Sequence, residues 1–208
     1  MVTLQKHVIQ RIALSAGMLL LVMLLTACSG IGGTGSATPT PTSAPTPTPS
    51  PTAPTVTMQT YKGATFTIDY PQGVQKGGSG DDVSFADPAT QDTMTIVSIA
   101  DPNGIAGAST IAQTSLASFE KSLLSNAKSA TIAPTATVGG ESWVQKSATG
   151  DLAAEANTPG TLVLLVDNHP ANSPSTKTYE IVYYGPTATW NQANIVFQIM
   201  LQSFTFTD

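Results

Sequence analysis

The chain has a single cysteine and a single arginine among its 208 residues. Because the cysteine, Cys28, closes an apolar segment near the N-terminus, the rest of the chain has no disulfide, no thiol nucleophile and no cysteine metal ligand. Beyond residue 57 the cationic side chains are six lysines, against thirteen acidic residues. An acidic surface without arginine repels phosphate groups, which argues against nucleic acid and anionic lipid headgroups as partners of this region.

Residues 1–27 have the pattern of a signal peptide. Lys6, His7 and Arg11 give a modestly basic start, and residues 12–25 are apolar or small. A membrane-spanning helix needs about 20 apolar residues, and this run is shorter. The pattern therefore favours a cleaved signal over an uncleaved anchor.

The four residues Leu25, Thr26, Ala27 and Cys28 resemble a bacterial lipobox: an aliphatic residue, two small residues and the cysteine that is lipidated. We predict cleavage before Cys28 and attachment of a diacylglyceryl group to it, in preference to an ordinary secreted form. Two or more acyl chains give a stable membrane anchor, whereas one does not. The expected location is the extracytoplasmic side of a bacterial cell membrane, with Cys28 as the lipidated residue.

Residues 28–57 are predicted to be a disordered linker. Residues 29–36 are rich in glycine and serine, and residues 37–55 have a proline at nearly every second or third position, mostly next to threonine. Such proline spacing excludes helices and sheet ladders and favours extended polyproline II. At about 3.1 Å per residue, the proline tract could hold the following domain at most about 60 Å from the membrane. A solvated spacer is favoured over a proline-rich ligand.

Residues 58–208 are predicted to form one α+β domain. Alternation of Phe66, Ile68 and Tyr70 with polar residues predicts a strand, and further strands are predicted at 83–85, 93–100, 130–138, 141–147, 161–167, 177–184 and 204–206. Two amphipathic helices are predicted, one with Ser109 as N-cap and an apolar face that continues to Ala127, the other beginning with a Thr189–Gln192 capping box. The glycine-rich segment 77–80 is predicted to be a loop. Short turns between most strands favour an antiparallel or mixed sheet with helices packed on it.

Both ends of this domain resemble the PsbP-like family, the extrinsic proteins of photosystem II and their bacterial relatives, which include the mycobacterial LpqN-type lipoproteins. The resemblance is carried by Tyr61-x-Gly63-x-x-Phe66-x-Ile68-x-Tyr70-Pro71-x-Gly73, by Gly139-Gly140-x-x-Trp143, and by the closing Phe197-x-x-Met200-Leu201-x-Ser203-Phe204-x-Phe206. Val74 departs from the aromatic residue that usually follows Pro-x-Gly. The resemblance implies an α/β/α sandwich around an antiparallel sheet, and a protein that docks onto larger assemblies.

Several acidic side chains and one histidine are candidates for metal binding or catalysis. Asp81, Asp82, Asp87 and Asp92 could offer oxygen ligands to Ca²⁺, but their spacing is not that of an EF-hand, so solvated turn aspartates are favoured. His169 is the one histidine beyond residue 57, and nothing around it is typical of a nucleophile elbow. A hydrolase would need carboxylates that converge beside His169.

Trp143, Trp190 and His169 are the candidates for a ligand-facing surface, although aromatic residues at strand and helix spacing are more often core residues. The sequence indicates no cofactor and no catalytic residue. The favoured hypothesis is a non-enzymatic, lipid-anchored module that binds an envelope protein. The alternative is a carrier of a small molecule or lipid in a cavity between sheet and helix.

Overall fold

The computed structural model describes residues 56–155 and 157–207. The predicted signal peptide, the lipobox at Leu25 to Cys28 and almost all of the linker lie outside the described residues. Residues Thr55–Asp208 form a compact unit of their own. No helix within the described ranges is long and apolar enough to cross a membrane.

The described part contains eleven strands and two α-helices in the order expected for an α+β domain. The strands are β1 (Met58–Lys62), β2 (Phe66–Pro71), β3 (Gln75–Ser79), β4 (Asp82–Ala86), β5 (Thr93–Ala100), β6 (Leu124–Ser129), β7 (Thr135–Val138), β8 (Glu141–Leu152), β9 (Pro159–His169), β10 (Lys177–Pro186) and β11 (Thr205–Phe206). The helices are α1 (Ala108–Leu123) and α2 (Trp190–Ser203), and a short 3₁₀ helix covers Pro102–Gly104.

The strands form two sheets in which every described pairing is antiparallel. The large sheet has the order β3-β4-β5-β10-β9-β8-β6, with β7 also paired to β8, and the small sheet has the order β1-β2-β11. The predicted antiparallel sheet is therefore confirmed. The long strands β8, β9 and β10 are neighbours in the large sheet. Because they are antiparallel, the start of β8, the end of β9 and the start of β10 lie next to one another.

One helix packs on each face of the large sheet, which confirms the predicted α/β/α sandwich. Along β9, Leu162, Leu164 and Val166 belong to the apolar cluster that contains α1. Val163 and Leu165, which alternate with them, belong to the cluster that contains α2. Because side chains alternate across a strand, a nearly continuous apolar run is what a strand covered on both faces requires.

Four local predictions were wrong. The strand predicted over 130–138 is not continuous, because β6 ends at Ser129 and β7 begins at Thr135. Residues 75–79 form strand β3, which pairs with β4, instead of a glycine-rich loop. The first helix ends at Leu123, because Leu124 adopts extended backbone and pairs with Leu152, so Ala127 lies in β6. The predicted caps were wrong in different ways: Gly107, and not Ser109, occupies the N-cap of α1, whereas Thr189 does occupy the N-cap of α2 but makes no side-chain cap bond.

Candidate functional site

A tight turn between β7 and β8 positions the first component of the site, Glu141. Gly139 and Gly140 both have positive φ, at 58° and 85°, as the commonest two-residue hairpin turn requires. A Cβ on Gly139 would lie 2.8 Å from the carbonyl oxygen of Phe204, so the turn also needs glycine for close packing. Glu141, the first residue of β8, follows directly.

Asp167 and His169 supply the other two components from the end of β9. They are two residues apart on one strand and therefore project from the same face, the face of Val163 and Leu165 that α2 covers. β8 and β9 are antiparallel with Val144 opposite Val166. This register, continued to the strand ends, brings Glu141 beside His169.

The three side chains form a compact cluster. His169 Nδ1 lies 3.1 Å from Oε1 and 3.2 Å from Oε2 of Glu141. One ligand atom from each of Glu141, Asp167 and His169 lies within 4.8 Å of the others. Burial, together with a hydrogen bond to Glu141, raises the pKa of Asp167 to about 6, although nearby His169 acts in the opposite direction. The cluster therefore contains two neighbouring carboxyl groups whose negative charges repel, so that a bound proton or cation stabilises it.

An aromatic shell fixes the imidazole in place. The His169 ring lies flat on Phe206, with ring centroids 3.6 Å apart and planes 5° apart. Phe206 in turn stacks on Trp143 and meets the edges of Tyr179 and Phe204. Because β11 pairs with β2, the ring under His169 is anchored by backbone hydrogen bonds as well.

The two tryptophans predicted as ligand-facing lie in different settings. Trp143 is fully buried between Phe204 and Phe206. Trp190, at the start of α2, is half-buried and stacks on Tyr183 with ring centroids 5.6 Å apart. The structure therefore brings Trp143 together with His169 through Phe206, and places Trp190 in a separate aromatic group.

Asp81 is the centre of a hydrogen-bond network. Its Oδ1 accepts from the backbone N–H groups of Ala64 and Thr65, and its Oδ2 accepts from the Thr65 hydroxyl and, at 2.9 Å, from Lys177 Nζ. Burial by itself would raise the pKa of Asp81, but the hydrogen bonds from Lys177 and Thr65 outweigh burial and lower that pKa. The carboxylate ties the β1–β2 turn to strand β10.

The other three candidate metal-ligating aspartates do not form one cluster: Asp82 begins strand β4, and Asp87 and Asp92 lie in the connection between β4 and β5. Asp82 accepts the backbone N–H of Ser98, and Asp87 accepts that of Ala89. Asp92 is buried, and burial raises its pKa. Within residues 56–155 and 157–207, no three of the four aspartates converge, whereas Glu141, Asp167 and His169 do.

The outward side of α2 is uncharged. Its exposed side chains are amides and isoleucines, with exposed fractions of 49% for Ile195 and 38% for Ile199: Asn191, Gln192, Ile195, Gln198, Ile199 and Gln202. None of these six side chains carries a charge, although the domain has thirteen acidic residues.

A cleft of about 580 Å³ adjoins this side of α2. Its lining consists of small residues of the β7–β8 hairpin together with the amides of Gln145, Gln198 and Gln202. Because Glu141 directly follows the lining residue Gly140, the cleft and the Glu141–Asp167–His169 cluster share one hairpin.

Solved structures provide one comparison that bears on the fold. The yeast Ran-binding protein Mog1p, from Saccharomyces cerevisiae, matches with a TM-score of 0.51 and 10% identity over 74% of this chain and 97% of that chain. The fold is similar to that of Mog1p. At this identity the likeness concerns the fold alone.

Two further solved structures are similar at lower TM-scores. LpqN of Mycobacterium tuberculosis, described as involved in cell envelope biogenesis, matches with a TM-score of 0.49 and 13% identity over 74% of this chain and 93% of that chain. PsbP of the cyanobacterium Synechocystis matches with a TM-score of 0.46 and 12% identity over 73% and 94%. LpqN and PsbP belong to the groups that the sequence resembles. The chain matches no protein-family model and no curated protein sequence.

Sequence reasoning identified His169 but missed Glu141 and Asp167. The prediction ended strand β9 at residue 167 and left His169 outside it, whereas the strand continues to His169, so that Asp167 and His169, two residues apart, share a face. Glu141 has no local signal, because only the pairing of β8 with β9 brings it to His169.

Proposed function

We propose that this chain is a lipoprotein anchored through Cys28 on the extracytoplasmic side of a bacterial membrane, and that its domain binds an envelope protein without catalysing a reaction. Support for the anchor comes from the lipobox Leu25-Thr26-Ala27-Cys28 and from the proline-rich spacer after it. The spacer favours a partner that lies away from the bilayer surface.

The observation that carries the binding proposal is the uncharged outward side of α2. The centres of protein–protein interfaces are depleted of charged residues, and this side combines exposed isoleucines with amides that can form hydrogen bonds. The helix itself is held to the sheet by Phe197, Met200 and Leu201, which are buried on its opposite side. A partner therefore meets a rigid, preformed surface, which lowers the entropic cost of binding.

The carrier hypothesis has less support. A site for a lipid or apolar small molecule is lined mainly by apolar side chains. The cleft beside α2 is instead lined by two glycines, an alanine, a threonine and three glutamines. The space between α2 and the sheet is filled by aromatic and aliphatic side chains that include Tyr183, Phe197 and Phe204.

Substitution of the two exposed isoleucines tests the proposal. The full lipoprotein, with Ile195→Glu and Ile199→Glu together, is compared with the unsubstituted protein for co-purification of proteins from native membranes. Ser118→Glu, on the exposed side of α1, is the matched control. The proposal predicts one partner that is recovered with the control and lost with the double variant. Equal recovery with both variants would contradict the use of α2.

A hydrolase is the second candidate, because Glu141 and Asp167 do converge beside His169. A carboxylate that orients an imidazole can make it a general base. Hydrolysis of chromogenic ester and phosphoester substrates by the unsubstituted protein, abolished by His169→Gln, would support this candidate. Hydrolysis that is absent, or the same in both proteins, would exclude His169 as the base for those substrates.

A further inference from the structure

We propose that Glu141, Asp167 and His169 bind one divalent transition-metal ion, for which Zn²⁺ is the best match. This inference concerns a site separate from the α2 surface and does not depend on protein binding by it. Two carboxylates and an imidazole form a donor set that zinc commonly accepts, with a fourth position left for water.

The distances already suit such an ion. In a tetrahedral site with metal–ligand bonds of 2.0–2.1 Å, the ligand atoms lie roughly 3.3 Å from one another. The Nδ1 of His169 and the Oε1 of Glu141 are 3.1 Å apart. All three ligand atoms lie within 4.8 Å of one another, so small side-chain rotations bring Asp167 to the same ion.

The surroundings hold the ligands in place. Stacking on Phe206 fixes the plane of the His169 ring, and hence the direction in which Nδ1 points. Asp167 and His169 lie on a central strand that is paired on both sides, and Glu141 begins the strand next to it. Side chains held on rigid elements lose little conformational entropy when a metal ion binds.

Charge also favours a cation. Glu141 and Asp167 place two carboxylates beside one imidazole, so the ionised cluster has a net negative charge. Lys177, the residue paired with His169 in the neighbouring strand, donates its ammonium group to Asp81. A divalent ion would therefore neutralise the negative charge of Glu141 and Asp167, which this nearby lysine does not neutralise.

The exposure of the cluster allows an ion to enter. The side chain of Glu141 is 40% exposed and that of His169 is 19% exposed. An ion from solution can thus reach Glu141 first and complete its coordination with the less exposed ligands. A mixed carboxylate and imidazole set favours Zn²⁺ or Mn²⁺ over Ca²⁺, which takes six to eight oxygen ligands.

Calorimetric titration with Zn²⁺ alone tests the inference. The untagged full chain is used in detergent with Cys28→Ser as the common background, so that no thiol competes for the metal. The expected result is one ion per chain, with affinity reduced at least tenfold by each of Glu141→Gln, Asp167→Asn and His169→Gln. Asp87→Asn, a carboxylate outside the cluster, should leave the affinity unchanged.

Folding is checked separately by circular dichroism of each variant. Glu141→Gln changes a ligand that is more exposed than His169 and keeps the size of its side chain, so this variant still gives a comparison if the His169 variant fails to fold. Absence of binding to the Cys28→Ser chain would overturn the inference. Binding that persists unchanged in the folded Glu141 and Asp167 variants would overturn it as well.

Discussion

At the level of single residues, the charged side chain of Asp81 joins separate parts of the domain by hydrogen bonds. Asp81 receives hydrogen bonds from a turn and from the lysine of another strand. Thr65, one of its donors, also contacts the Tyr179 hydroxyl at 2.8 Å. Tyr179 touches Phe206, the ring beneath His169. The network at Asp81 therefore continues to the aromatic shell of the proposed metal site.

Asp81→Asn should destabilise the domain at neutral pH. Hydrogen bonds and Lys177 lower the pKa of Asp81 in the folded state. A lowered pKa gives stability that is present above the pKa of the unfolded chain and is lost as pH falls through the folded-state value. We expect a loss of about 1–3 kcal/mol in the free energy of unfolding at about pH 7, measured by urea denaturation.

The difference between Asp81→Asn and the unsubstituted protein should shrink towards about pH 3, because the carboxylate is protonated first in the unfolded chain and only at lower pH in the folded state, where its pKa is lowered. Asp69→Asn is the matched control, since Asp69 is an aspartate whose hydrogen bond with Thr60 is exposed. It should change stability by less than about 0.5 kcal/mol. A loss for Asp81→Asn that is the same at both pH values would contradict the electrostatic explanation.

At the level of elements, helix α2 has two sides with different roles. Its inner side buries Phe197, which contacts Tyr183 and Trp190. Its outer side exposes Ile195 and Ile199. The spacing of four residues, which places Ile195 over Ile199, also makes a continuous stripe for a partner to contact.

Phe197→Ala and Ile199→Ala should separate these roles. Loss of the buried ring leaves a cavity and should cost about 3–5 kcal/mol in the free energy of unfolding. Substitution of the exposed Ile199 by alanine should lower the free energy of unfolding by less than about 0.5 kcal/mol. Thermal unfolding followed by circular dichroism measures both. Similar losses from the two substitutions would show that the outer side is not free in the folded protein.

Elements with a local signal were predictable from the sequence, and those that depend on distant contacts were not. The alternation of Phe66 and Ile68 and the apolar spacing around Leu116 each reflect burial on one face. β3 was missed because its glycine-rich, exposed sequence has no apolar alternation, and only pairing with β4 makes it a strand. Glu141 was missed for the same reason, since the β8–β9 register alone joins it to His169.

At the level of the whole molecule, the proposed anchor, spacer and domain have complementary properties. The domain is acidic and arginine-free, so it has no general attraction to anionic lipid. In the proposed arrangement, the acyl chains at Cys28 attach the protein to the membrane, and the proline-rich segment sets the distance. The domain would be free to present α2 to a partner in the envelope.

Cys28→Ser should abolish lipid attachment. The variant lacks the thiol that would carry the diacylglyceryl group, so the apolar residues 12–25 should stay on the chain as an uncleaved precursor. A labelled fatty acid fed to producing cells should label the unsubstituted protein and not the Cys28 variant. Ser29→Ala, next to the cysteine, is the control and should be labelled. Equal labelling of the Cys28 variant and the unsubstituted protein would contradict lipid attachment at Cys28.

Site-specific photo-crosslinking in native membranes tests the proposed protein binding most directly. A photoreactive amino acid replaces Ile199 on the outer side of α2 or, in a parallel protein, Ser118 on the exposed side of α1. If α2 binds a partner, position 199 should give a discrete crosslinked adduct that disappears when Ile195→Glu is added, and position 118 should give no adduct of that mass. No adduct at position 199, or the same adduct from both positions, would contradict partner binding by α2.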